Sequence, residues 1–160
     1  MTIVGEGGEV LNHNRHSGVA LALGCAVAAA FSSGAGAVEV NDLKGFEQLF
    51  GRYAPAGDCK RQPQFVVDVS GFTFEVGGKT EKVTNPEFAA SYGGNDYSGS
   101  SQWFFPFRVK DGYEILMTFN ADEKNGVVTI DPHDQGYPGG PKASPRNAAL
   151  IKGSPYAKCK

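Results

Sequence analysis

Apolar positions along the chain follow two different periods. Over Val38–Phe50 (VEVNDLKGFEQLF), Leu43, Phe46, Leu49 and Phe50 recur three and four residues apart, which puts them on one face of a helix. Asn41 or Asp42 can cap it by accepting from free first-turn N–H groups, Gly45 weakens it and Gly51 ends it. The spacing predicts one short N-terminal helix. Arg52–Pro63 holds Pro55, Gly57 and Pro63 and reads as a loop.

From Gln64 the period becomes two. Phe65, Val67 and Val69 alternate with Val66, Asp68 and Ser70, and after Ser70-Gly71 the residues Phe72, Phe74 and Val76 alternate with Thr73 and Glu75. Gly77-Gly78 signals a hairpin, since both can take positive φ, and the polar stretch Lys79–Val83 suits an edge strand. Trp103–Val109 (WFFPFRV) is a strongly apolar strand in which Pro106, lacking an N–H, belongs at a bulge or an outer edge. Asp111-Gly112 is a second hairpin signal, with Tyr113–Phe119 as partner strand; Asn120–Gly126 turns the chain into Val127–Ile130. Asp131–Lys160, with five prolines and four glycines, reads as wrapping loop with at most one helical turn at Asn147–Ile151. The expected fold is mainly β: a single antiparallel meander, sandwich- or barrel-like, with one short N-terminal helix.

Upstream, Gly18–Ala30 (GVALALGCAVAAA) is uncharged and largely apolar, yet shorter than the about 20 residues that span a bilayer. Arg15 precedes it and Ala35-Gly36-Ala37 follows, the order of a cleavable export signal with an A-x-A site. Residues 1–37 are therefore expected to be a signal peptide, and 38–160 a single periplasmic domain without a membrane span. Cys25 after Gly24 raises lipidation as an alternative, although Ala22 stands where a lipobox has Leu.

This division alters the composition. The whole chain has 160 residues, 3 Cys and a net charge of -2; without Glu6, Glu9, Arg15 and Cys25 the expected domain keeps 14 basic and 15 acidic residues and 2 Cys. Near-neutral charge gives no footing for binding nucleic acid, which needs clustered Lys and Arg. An even pair of cysteines in an exported chain reads as a disulfide, Cys59–Cys159, tying the start of the fold to its end.

Little in the sequence suggests catalysis. His133 lies between Asp131 and Asp134, but it is the one His of the expected domain, and metal sites usually draw three or four spaced ligands. It reads as a solvated side chain. No G-x-S-x-G or H-E-x-x-H is present, and no carboxylate pair stands out. The expectation is a non-enzyme without metal or cofactor.

Ser91–Gln102 (SYGGNDYSGSSQ) is the candidate contact segment. It lacks aliphatic residues and cannot build core, while its Tyr, Ser and Gly are the chemistry of a recognition loop. Ser98-Gly99-Ser100-Ser101, beside Tyr97 and Trp103, is similar to the Ser-Gly-x-x-Tyr loop of the bacterial c-type lysozyme inhibitors, with Gln102 where that loop has Tyr. Ser154-Pro155-Tyr156 and Cys159 resemble the tail of other periplasmic lysozyme inhibitors. The resemblance implies a protein partner, a lysozyme, whose cleft carboxylates receive hydrogen bonds from the loop. The implied contact residues are Tyr92, Tyr97, Ser98, Gly99, Ser100, Ser101 and Trp103. Gly93, Gly94 and Gly99 would let the backbone approach the partner, and Asp96 would meet its positive surface. Two other readings stay open: a glycan- or peptidoglycan-binding module with Trp103 or the tyrosines stacked on sugars, and a structural subunit of an envelope complex.

Overall fold

The computed structural model describes residues 36–90, 92–94 and 96–159. The expected export signal and the candidate lipidation site at Cys25 lie outside the described residues, apart from Gly36 and Ala37. No described helix is long and apolar enough to cross a membrane.

Ten strands form one antiparallel sheet. Its members are β1 (Val38–Glu39), β2 (Gly51–Pro55), β3 (Gln64–Asp68), β4 (Gly71–Val76), β5 (Lys79–Val83), β6 (Glu87–Phe88), β7 (Gln102–Phe105), β10 (Ile115–Phe119), β11 (Val127–Pro132) and β12 (Tyr156–Lys158). Between β7 and β10 lies a separate hairpin of β8 (Arg108–Val109) and β9 (Gly112–Tyr113). The order across the large sheet is β1-β6-β7-β10-β11-β12-β2-β3-β4-β5. The C-terminal strand therefore sits in the middle, joined to β11 on one side and β2 on the other.

The sheet curls onto its own inner face. β4 and β10 stand five positions apart in the order, yet Phe72 stacks on Phe119 at 5.8 Å between ring centroids. Phe72 also meets Phe104 edge-on at 5.5 Å, and Phe65 stacks on Tyr53 at 5.0 Å. These rings form one core with Leu43, Met117, Ile130, Leu150 and Tyr156. Aromatic pairs add roughly 0.5–1.5 kcal/mol each beyond the area they bury, so an inner face this rich in rings favours tight curvature. A smaller cluster of Ala89, Phe105 and Leu116, flanked by Trp103 and Tyr113, lies apart from it.

The period-two segments became strands as expected. Gly77-Gly78 turns β4 into the charged edge strand β5, and Pro106 interrupts the apolar run between β7 and β8. Four expectations need correction. The N-terminal helix is a single 3-10 turn, Glu47–Leu49: Gly45 takes φ +89°, and Asp42 accepts from the nearby Lys44 N–H, so the chain bends where a helix would propagate. Leu43 and Leu49 are nevertheless buried. The expected loop from Arg52 begins as β2, because β3 and β12 supply ladders on both its sides. Tyr113–Phe119 divides at Glu114, with Tyr113 pairing in the small hairpin and Ile115–Phe119 in the sheet. The Pro-rich tail holds a nine-residue helix α1 (Pro145–Gly153) and then β12. Ser144 starts α1 by accepting the Asn147 N–H, with Pro145 preset in the first turn.

Cys59 and Cys159 are disulfide-bonded, 100 residues apart in sequence with Cα atoms 6.0 Å apart. The bridge lies beside the β2–β12 ladder, where the Cys159 N–H donates to the Arg52 carbonyl. Replacing both cysteines (Cys59→Ala with Cys159→Ala) should lower the unfolding free energy by about 4–5 kcal/mol, as closure of a loop near 100 residues implies. Urea denaturation of both proteins measures this, and a loss below about 1 kcal/mol would contradict the role given to the bridge.

Candidate functional site

The candidate loop runs from the end of β6 to the start of β7 and is held by one carboxylate. Glu123 lies in the turn between β10 and β11, more than twenty residues downstream of the loop it grips. Its Oε2 accepts from the Ser100 N–H at 2.5 Å and from Ser100 Oγ at 2.6 Å, and its Oε1 accepts from the Tyr97 hydroxyl. That hydroxyl in turn accepts from the Ser101 N–H at 2.7 Å. A hydroxyl that both donates and accepts thus links carboxylate to backbone. The donors of Ser100 and Tyr97 bring the Glu123 carboxyl down to about 2.

The turn carrying Glu123 is itself braced. Asn120, Asp122 and Glu123 all take left-handed backbone angles, with φ of 51°, 54° and 59°. Each such non-glycine residue carries a conformational cost that its surroundings must offset. Asn120 is buried and works in both directions: its Nδ2 donates to the Ser100 carbonyl at 3.0 Å, and its Oδ1 accepts from the Gly126 N–H at 3.1 Å. Ser101 Oγ completes the joint by donating to the Asn120 carbonyl at 2.8 Å. The Gly126 carbonyl accepts from the Lys158 N–H at 2.9 Å, so the C-terminal strand supports the turn.

Beneath the loop lies Trp103. Tyr97 meets its ring edge-on at 4.9 Å and Tyr92 leans over it at 5.9 Å. A Cβ at Gly93 would come within 2.6 Å of the indole, and one at Gly99 would collide with Tyr97 and Glu123. These two glycines let the loop settle on its own protein. Gly94, at φ +92°, has open space around it.

The seven residues named from sequence therefore divide. Tyr97, Ser100 and Ser101, expected to offer hydroxyls outward, are engaged by Glu123 and Asn120, and Ser101 is buried. Trp103 is the half-buried support, and Gly99 fits the anchor. Tyr92 and Ser98 remain exposed, as does Asp96; neither the Tyr92 nor the Ser98 hydroxyl has a hydrogen-bond partner among the described residues. Glu123 and Asn120 were missed because nothing in Asn120–Gly126 marks it as more than a turn.

His133, expected to stand in solvent, instead packs beside the loop, its ring 6.5 Å from that of Tyr92. Its Nδ1 is 3.1 Å from Asp134 Oδ2, and its ring meets Phe105 edge-on at 4.9 Å. The Tyr113 N–H, more than His133, holds Asp134 below the usual carboxylate range. Nearby, the Tyr113 hydroxyl donates to Glu87, which also pairs with Arg108 at 2.9 Å. Among the described residues no three His, Cys, Asp or Glu side chains converge on a common point. No family model matches the chain, and no curated protein or solved structure is significantly similar to it.

A carboxylate with a lowered pKa holds its partners above its unfolded value, here 4.5, and releases them as pH falls through its folded value of about 2. The loop should thus stay seated from neutrality to about pH 5 and lift between about pH 4.5 and 2. Trp103 is the one tryptophan of the chain, so its emission reports the change: constant to pH 5, then shifted to the red while far-UV circular dichroism holds. Glu123→Gln should show the shifted emission already at neutral pH; unshifted emission would show that the carboxylate does not seat the loop.

Proposed function

We propose that the chain is an exported binding protein that inhibits a c-type lysozyme by presenting the loop Tyr92–Gln102 to its active-site cleft. The observation that carries this reading is the anchored loop: Glu123 holds its inner side, leaving Tyr92, Asp96 and Ser98 directed outward. A loop already held at Tyr97, Ser100 and Ser101 loses less entropy on binding than a free one, which favours affinity without a large contact area. Tyr92 offers a broad rigid surface, half exposed, and a hydroxyl. Ser98 supplies a second donor toward the paired carboxylates of a glycosidase cleft. Asp96 complements a cationic partner and raises the association rate more than the affinity.

Sugar stacking on Trp103 is the less favoured reading, because Tyr92, Tyr97 and Gly93 already crowd that indole. A stacking platform needs an open ring face.

Purified residues 38–160 should suppress lysis of a cell-wall substrate by a c-type lysozyme at near-stoichiometric ratios. Tyr92→Ala with Ser98→Ala should raise the inhibition constant by about 10- to 100-fold, as for central contact residues. Retention on insoluble peptidoglycan without suppression of lysis would replace this reading with glycan binding, and unchanged inhibition by the double variant would move the contact elsewhere.

A further inference from the structure

The order of the sheet ends at β5, whose outer edge pairs with no strand among the described residues, and helix α1 is tied to it. Arg146 of α1 fastens it. Its Nη1 donates to both carboxylate oxygens of Glu81 on β5 at 2.7 and 2.8 Å, and its Nη2 donates to Glu114 before β10 at 2.8 Å. The guanidinium lies flat on Phe107, 3.4 Å from the ring centroid, and Nε donates to Asn147. One side chain thus links β5, α1 and the far side of the curled sheet.

Under this clasp is a half-open cleft of about 610 Å³. Its walls are Phe74 and Val76 on one side and Pro145 and Ala149 of α1 on the other. Phe74 pairs with Glu81 and Val76 with Lys79 across the β4–β5 hairpin, so these four side chains share the sheet's inner face. The volume falls within the range of about 300–1,000 Å³ typical of small-molecule sites.

The chemistry of the lining selects the occupant. Four charged side chains border it, Lys79 and Arg146 against Glu81 and Glu114, and their formal charges cancel. Arg146 spends four hydrogen bonds on Glu81, Glu114 and Asn147, and Ser144 Oγ accepts from the Asn147 N–H. An anion placed here would meet two glutamates as well as two cations and gain no net attraction. Most of the polar atoms of the clasp already bond one another, while the walls of Phe74, Val76, Pro145 and Ala149 offer apolar surface. Desolvating polar groups without new partners is costly, whereas covering apolar wall is favourable. We propose that this cleft is a binding site for an uncharged, apolar small molecule, lying between the β4–β5 hairpin and α1 with the Arg146 clasp as its rim. The site shares no lining residue with the Tyr92–Gln102 loop and does not depend on the function proposed for that loop.

The test is a fluorescence titration of the full domain with the neutral probe N-phenyl-1-naphthylamine, beside the anionic probe 8-anilinonaphthalene-1-sulfonate. Saturable binding of the neutral probe at one site is expected, with the anionic probe weaker by about tenfold or more. Ala149→Trp, which fills the cleft, should weaken the neutral probe by about tenfold or more. Ala149→Glu, at a half-buried helix position that tolerates a polar side chain, should do the same by adding an unbalanced charge, so the test survives if the larger side chain prevents folding. Absence of saturable binding, equal affinity for the anionic probe, or neutral-probe binding untouched by both variants would overturn the proposal.

Discussion

The pairing of β12 with β2 is the constraint on which the rest of the molecule depends. It joins the last strand of the chain to an early one, and the Cys59–Cys159 bridge lies beside it. Without it the sheet falls into two pieces, β2 to β5 and the set β1, β6, β7, β10, β11 and β12, each with its aromatic face uncovered. Ordering two chain segments so far apart is entropically expensive. A disulfide removes much of that cost from the unfolded side of the balance. The ring contacts between β4 and β10 then follow, since closing the seam brings the two halves of the inner face together.

The same seam reaches the candidate site through a short series of hydrogen bonds. Lys158 donates to Gly126, Gly126 to Asn120 and Asn120 to the Ser100 carbonyl, while Glu123 in the same turn holds Ser100 and Tyr97. Three left-handed residues in that turn are an unfavourable local choice, offset by what the turn grips. Tyr97, Ser100 and Ser101, in a Gly- and Ser-rich segment that would move freely as an isolated peptide, are thereby held against the turn. Stability at the seam and presentation at the loop are linked physically.

Much of the sheet was legible where alternation was strong. Phe65 and Val67, then Phe72, Phe74 and Val76, carry a period of two that names strand and face together, and Gly77-Gly78 marks the turn between them. β2 and β12 were not legible. GRYAP contains a proline and YAK is three residues long; both are strands because neighbours on each side offer ladders, which no local pattern records. The 3-10 turn shows the reverse, a helical spacing defeated by one glycine at positive φ. In the site, composition found the loop but not its anchor, because Glu123 and Ser100 are brought together by the pairing of β7 with β10, which no local pattern records. Tyr97, Ser100 and Ser101 therefore read as outward donors although the fold engages them internally.

The central claim is that Glu123 and Asn120 hold Tyr97, Ser100 and Ser101 in place in the free protein. Amide hydrogen exchange of the free protein at neutral pH addresses this residue by residue. The Ser100 and Ser101 N–H groups, bonded to Glu123 and to the Tyr97 hydroxyl, should exchange about as slowly as the paired amides of β7 and β10. Exchange at both positions as fast as in an unstructured peptide would contradict the account.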